Sequence, residues 1–505
     1  MKLNLNKKDF LDTVKSGGIP PLYVEIPYSE PYSVYESLGC SANSILLESV
    51  KGPYKIARYS FIAFDPYLVF NVKNGEVRIH SILKSHESVS SRPPLERLKE
   101  LVTAYPQKPA SELPPFQGGA VGLLSYDFVR YIENIPKKAV DDLRIPDAHF
   151  FMADRVIAFD HMHKKSWLII SPGARDTELG YREISHIDWD RAYEEAAERL
   201  KAKGYRQKAK GERQENISKP FAFSPSPFAS INYEMSKEQY MDIVKRTKVY
   251  IAAGDIFQAN LSQRISARIG DKNPWEIYKV LRGINPSPFA AYADFGDYQI
   301  VSSSPERLIR VKDGIIETRP IAGTRPRGSD VMEDELMRAE LLLNEKERAE
   351  HIMLIDLERN DIGRVSEYGS VVVDELMITE DYSHVIHIVS NVRGILEKEK
   401  TCFDVIRATF PGGTITGVPK VRCMEIIDEL EPVQRGPYTG SLGYVGFSGN
   451  LDLNIIIRTF LIKGGFAYVQ AGAGIVADSD PEREYYETLK KAEALIRTLE
   501  IVGGS

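Results

Sequence analysis

Three segments in the C-terminal half of the chain place glutamates beside glycines, arginines or short helices. They are SSSPERL (302–308) running into RPIAGTRPRG (319–328), ERAEHIMLIDLERNDIGR (347–364), and AGAGIVADSDPEREYYETLKKA (471–492). Glu347 and Glu350 stand three apart and share a helix face, and Glu484 and Glu487 sit in the first two turns of a C-terminal helix. Carboxylates without His or Cys suit a hard cation such as Mg2+, which takes one or two protein carboxylates and keeps its waters. GTRPRG, read as a strand-to-loop turn, offers cations and a hydroxyl. AGAG (471–474), read as a glycine turn, offers backbone N–H groups to a carboxylate. Arg458 interrupts the apolar run LNIIIRTFLI (453–462), read as one strand, and a buried arginine there needs an anionic partner. Together these groups could grip a small, doubly anionic substrate. Each also has an ordinary alternative: solvated helix surface, an internal salt bridge, a tight turn.

The elements that must carry these residues are legible in outline. Residues 1 to about 200 alternate short β-rich runs with turns, as in SILLESV (44–50), YLVFNV (67–72), GEVRIHSIL (75–83) and KSWLIIS (165–171), before a helix over 188–204. Residues 205–230, polar and then rich in Pro and Ser, read as a linker between regions 1–204 and 231–505. Beyond it, 235–255 is an amphipathic helix with Ser236 as N-cap, and IFQANLSQRISARI (256–269) is a strand. YQIVSSSPERLIRV (298–311) and FAYVQAGAGIVA (466–477) read as further strands, and 334–358 as a helix. Asp480 or Ser479 caps the last helix, whose buried stripe is Tyr485, Leu489, Ala492, Ile496 and Leu499. FPGGTITGVPK (410–420) is a second glycine loop without Walker spacing. His161 and His163 read as surface residues, while alternation puts His384 and His387 on opposite strand faces. This order of elements favours an α+β fold with large, mainly antiparallel sheets.

Bulk properties narrow the class. A net charge of −6 gives no reason to expect nucleic acid or a membrane surface as partner. Three widely spaced cysteines fit a reducing compartment. With no secretory h-region and no long apolar run, a cytoplasmic location is expected.

The ordered set PIAGTRPRG, AEHIMLIDLERND, PGGTITGVPK, GSLGYVGFSG, LNIIIRTF and QAGAGIVADSDPEREYYET resembles the chorismate-utilising enzymes over about residues 230–500. ILLES (45–49) is similar to the tryptophan-binding element of anthranilate synthase large subunits, which extends the match nearly full length. The resemblance implies an α/β sandwich of two large antiparallel sheets with helices outside and the active site between them. It implies Mg2+ on Glu350 and Glu487 with Glu484 beside them. Substrate would bind at Gly323, Thr324, Tyr444, Arg458, Gly472, Ala473 and Gly474. It makes Glu306 the general acid, associates His387 with the later elimination, and puts tryptophan on Ser49, Pro288, Phe289 and Ala290.

Residue choices refine the implied reaction. Chorismate loses a C4 hydroxyl, a poor leaving group that needs an acid. Ammonia attacks C2 without a base. Water-using relatives place an activating lysine where this chain has Gln258, and aminodeoxychorismate synthases typically place one where it has Ala322. The resemblance thus implies anthranilate and pyruvate from chorismate and ammonia, with tryptophan as feedback inhibitor. A separate glutamine amidotransferase subunit would supply the ammonia, in a hetero-oligomer. The alternatives are an aminodeoxychorismate synthase that lacks its lysine, and an inert tryptophan-sensing subunit that would not need Glu306, Glu350 and Glu487 together.

Overall fold

In the structure, a computed structural model, residues 3–39, 42–82, 86–179, 184–201, 231–328, 330–381 and 385–503 are described. The expected linker and His384 lie outside them. Two 12-stranded antiparallel sheets form the body of the protein. The first runs, in spatial order, Leu22–Ile26, Lys165–Ile170, Arg155–Asp160, Tyr59–Ala63, Ser44–Glu48, Phe289–Asp294, Tyr298–Ser304, Thr459–Lys463, Phe466–Ile475, Gln258–Arg268 and Ile231–Tyr233, with Gly417–Val418 paired to Gln258–Arg268. The second runs Ile321–Pro326, Val385–Ile395, Ile315–Thr318, Arg307–Lys312, Leu451–Asn454, Ser441–Gly446, Gly119–Leu124, Ala148–Ala153, Leu68–Lys73, Glu76–Ser81 and His86–Ser90, with Val372–Asp381 on Val385–Ile395.

Both faces of the central strands are buried, and alternate residues serve different cores. Ile45, Phe61, Phe151, Ile300, Leu442 and Tyr444 fill the layer between the sheets. Their neighbours Leu46, Ile62, Phe150, Val301 and Val445 face the helices outside. Regions 1–204 and 231–505 share both sheets. Ser44–Glu48 pairs with Phe289–Asp294 in one sheet, and Gly119–Leu124 pairs with Ser441–Gly446 in the other. An N-terminal region that leaves its strand edges unpaired must find partners, and here they come from the C-terminal half.

Several expected elements differ. The helix read over 334–358 is two, Val331–Leu343 and Glu345–Gly363, split at Asn344, whose side chain accepts from Glu347 N and caps the second. The runs 298–311 and 453–462 are each two strands, one in each sheet. AGAG lies inside the strand Phe466–Ile475 and is not a turn. Gly323 sits in the strand Ile321–Pro326 at a β-bulge, with φ of 62°. The Ser236 cap forms a complete capping box with Gln239, and Asp480 accepts from Arg483 N at the start of Pro481–Gly503.

Candidate active site

At one pair of neighbouring points where the chain passes between the sheets, each passage carries a candidate residue. Tyr298–Ser304 pairs with Thr459–Lys463 in the first sheet, and Arg307–Lys312 pairs with Leu451–Asn454 in the second. Glu306 lies in the first link and Arg458 in the other. Ile455 N donates to Glu306 O at 3.0 Å, and Ser304 Oγ donates to Ile455 O at 2.6 Å, so the links are bonded to each other. Arg458 adopts φ of 50°, a left-handed conformation that costs a non-glycine residue about 1–3 kcal/mol. A strained arginine beside a buried acid indicates a site.

Glu306 is 7% exposed. Burial pushes its carboxyl up to about 7, against the opposing pull of the Thr414 hydroxyl, Arg458, the Ile321 N–H and Lys491. Thr414 Oγ donates to Glu306 Oε1 at 3.0 Å. Thr414 belongs to the glycine loop 410–420, which sequence reading assigned no chemistry; nothing local signals that the loop folds over residue 306. His387 also faces this space. Its Nδ1 lies 2.9 Å from Thr324 Oγ and 3.2 Å from Gly323 O. Burial, with the charge of Arg458, lowers its imidazole to about 4, so it is neutral at pH 7. The arginines of GTRPRG are committed internally: Arg325 to Glu340 and Glu347, Arg327 to Asp334.

The floor is formed by two paired strands. Asn260 stands opposite Gly474 and Ser262 opposite Gly472, with Ala473 facing the outer core. A Cβ at Gly472 would lie 2.5 Å from Asn260 Oδ1 and 2.8 Å from both Leu261 O and Tyr438 Oη, and one at Gly474 would collide with Gln258 Nε2. The glycines therefore let the Gln258 and Asn260 amides and the Tyr438 hydroxyl lie directly against the strand. Gln258 Nε2 donates to Glu350 Oε1 at 3.0 Å, while Gln258 Oε1 and Asn260 Oδ1 are buried without a hydrogen-bond partner among the described residues. Lys491 Nζ donates to Gly472 O at 3.1 Å and pairs with Glu487 at 2.8 Å.

Tyr444 is not among these groups. It lies in the apolar layer, stacked on Phe116 with ring centroids 4.5 Å apart and edge-on to Phe61. Strand alternation places it there, and Tyr438, in the preceding loop, brings its hydroxyl to Gly472 instead. Both tyrosines sit in the run PYTGSLGY, so only the strand's start tells them apart. Tyr438, Lys491, Thr414 and Asn260 are the residues that sequence reading missed.

The carboxylates expected to bind metal border one another without forming a ready-made cluster. Among the described residues, no three of His, Cys, Asp and Glu converge as a metal site. Burial and the charge of Glu487 raise Glu484, and Glu350 and Glu484 both act on Lys346. Glu347 Oε2 is buried without a partner, directed at Gly323. An oxygen-only donor set with mutually repelling carboxylates fits a hard divalent cation.

The family described as chorismate binding enzyme matches residues 42–497. The chain belongs to this family. Anthranilate synthase component 1 of Acetivibrio thermocellus is 44% identical, over 97% of this chain and 97% of that one. Aminodeoxychorismate synthase component 1 of Bacillus subtilis is also 44% identical, over 90% and 92%. The crystal structure of anthranilate synthase component I from Streptococcus pneumoniae superposes with a TM-score of 0.72 at 37% identity, covering 87% of this chain and 92% of that one.

In this chorismate-binding enzyme the four remaining candidates lie together on the first sheet. Ser49 Oγ can donate to Tyr59 O at 2.8 Å or Pro288 O at 3.0 Å. Ala290 pairs with Glu48, and Phe289 pairs with Ser304, two residues before Glu306. His161 is part-buried, not a free surface group: its Nε2 meets Ser60 Oγ at 2.6 Å, and Ser60 Oγ accepts from Ser49 N at 3.0 Å. Among the described residues, no helix is long and apolar enough to cross a membrane.

Proposed function

We propose that this enzyme is the anthranilate-forming large subunit of a two-component synthase, converting chorismate and ammonia to anthranilate and pyruvate through 2-amino-2-deoxyisochorismate. The observation that carries the reading is Glu306, a buried carboxyl that still holds its proton near neutral pH, at the sheet crossing beside Arg458. Arg458 would pair with the enolpyruvyl carboxylate. As nitrogen bonds to C2, the ring double bonds shift and the C4–O bond breaks. Glu306 gives its proton to the departing hydroxyl, which leaves as water. In the second step the C2 proton and the C3–O bond are lost together, releasing pyruvate and the aromatic ring. Neutral His387, with Nδ1–H directed at Gly323 O, keeps a lone pair on Nε2 for this stage.

The nucleophile follows from Gln258. Its amide is turned to Glu350 and cannot act as a base near neutral pH, so water would lack activation where ammonia needs none. Mg2+ would be held by Glu350 and Glu487 with Glu484, and would neutralise the ring carboxylate and spread its developing charge. Tryptophan would bind at Ser49, Pro288, Phe289 and Ala290. Ammonia would come from a separate glutamine amidotransferase subunit, in the cytoplasm.

The equal identity to an aminodeoxychorismate synthase supports a second reading, amination at C4. Ala322 speaks against it, because it offers no side-chain nucleophile. Product analysis from the purified chain with chorismate, Mg2+ and ammonium separates the two. Equal yields of fluorescent anthranilate and pyruvate are expected, and 4-amino-4-deoxychorismate as main product would overturn the first reading.

A further inference from the structure

The loop that brings Thr414 to Glu306 is tied at its base by one part-buried ammonium. Lys420 Nζ donates to Thr409 O and Pro411 O, both at 3.1 Å, and to Asp361 Oδ2 at 2.6 Å. Its three N–H donors are thereby used. Lys420 ends the loop and Thr409 and Pro411 begin it, so the ammonium closes the loop into a ring. The Asp361 side chain is buried, at 4% exposure, and that of Lys420 is part-buried, at 13%. Asp361 stands on the helix Glu345–Gly363, one turn from Leu357, and a Cβ at Gly413 would overlap Leu357. The helix and the loop tip are in contact, and the pair sets their spacing. A buried ion pair adds little net stability over apolar residues of the same shape, so what this one supplies is geometry.

We propose that Lys420 is a positioning residue for the acid, holding the loop so that the Thr414 hydroxyl stays on Glu306. This rests on the reading of Glu306 as the proton donor. The other groups facing Glu306 are Arg458, Lys491 and the Ile321 N–H, and Glu358 on the same helix feels its charge. Lys420 also faces Glu358, and Arg364 faces Asp361.

The test is a double-mutant cycle in the full chain, with chorismate, Mg2+ and ammonium: Thr414→Val, Lys420→Met and both together, each across pH. The Thr414 hydroxyl favours the carboxylate form, so its loss raises the proton affinity of Glu306. The alkaline limb of kcat/KM should move to higher pH in both single variants, with kcat down about tenfold and KM within about twofold. Because Lys420 acts through Thr414, the double variant should be no worse than the poorer single variant. Multiplying losses, near hundredfold, or an unmoved limb in Lys420→Met would overturn the proposal. If Lys420→Met does not fold, Asp361→Asn decides. Loss of a negative charge alone would move the limb to lower pH, whereas loosening of the loop moves it higher, so a lower or unmoved limb sinks the idea. Glu306→Gln serves as the control. Near-normal turnover there would remove the acid reading and the proposal with it, while an inactive Glu306→Gln beside an unmoved Lys420→Met limb removes the proposal alone.

Discussion

Glu306→Gln should abolish turnover and yet make the protein more stable at alkaline pH. The carboxyl rises from its ordinary 4.5 to about 7 because it is buried. A group raised on folding contributes its full stability below the unfolded value and loses it as pH climbs to the folded one. Below pH 4.5 the acid is protonated in both states and burial costs no charge. Between 4.5 and 7 the unfolded chain releases the proton and the folded chain retains it. Above 7 the folded chain holds a buried carboxylate. The rise, from 4.5 to about 7 at about 1.4 kcal/mol per pH unit, amounts to ~3 kcal/mol. Glutamine has the same shape, carries no charge, and its Oε1 can still accept from Thr414. The variant should match wild type near pH 4.5–5 and exceed it by up to ~3 kcal/mol at pH 8. Denaturant midpoints for both proteins at pH 5 and pH 8, with m-values compared, read this directly. A variant less stable than wild type at pH 8, or a difference that does not change with pH, would refute the account of Glu306 as a buried, proton-bearing acid.

Three further outcomes are expected. Glu350→Gln and Glu487→Gln should each lose activity by orders of magnitude at saturating Mg2+ with little change in melting temperature, and near-normal turnover would take that residue out of the ligand set. Ser49→Arg puts a long cation where the hydroxyl now meets Tyr59 O and Pro288 O, so inhibition by saturating tryptophan should vanish, and an unchanged inhibition curve would count against the pocket. Gly472→Ala forces a methyl to 2.8 Å from Leu261 O and Tyr438 Oη. It should cost roughly 1–3 kcal/mol in chemical denaturation and raise KM for chorismate, and a fully wild-type variant would mean that Asn260 and Tyr438 yield freely to the methyl.

What could be read in the sequence was local. Caps at Ser236 and Asp480, the strand Gln258–Arg268 and the continuous apolar runs of doubly covered strands all follow from short-range chemistry. The architecture followed from the resemblance and the element order. Periodicity could not show that 298–311 and 453–462 change sheets midway, because a crossing strand keeps its alternation on both sides of the bend. That one omission explains why Arg458 was read as lying inside a strand. The placement of Thr414 over Glu306 spans over a hundred residues and leaves no mark in either segment. Tyr444 was misplaced for a smaller reason: a strand beginning at Ser441 directs it inward to Phe116, and that start was not fixed by the sequence.

The paired crossings make the two sheets resemble the covers of a book with Glu306 and Arg458 on the spine, and a second pair of crossings, Tyr59–Ala63 to Leu68–Lys73 and Ala148–Ala153 to Arg155–Asp160, binds the same covers again elsewhere. Covers bound along two lines do not swing open about either one. The distance between the acid and the cation is therefore insulated from breathing of the sheets. Loss or gain of one residue in a leg of either strand would turn every side chain beyond it from one core to the other, and the spine could not absorb the change. Variation should therefore accumulate at the outer edges of the covers, and the four legs that meet at the spine should keep their lengths.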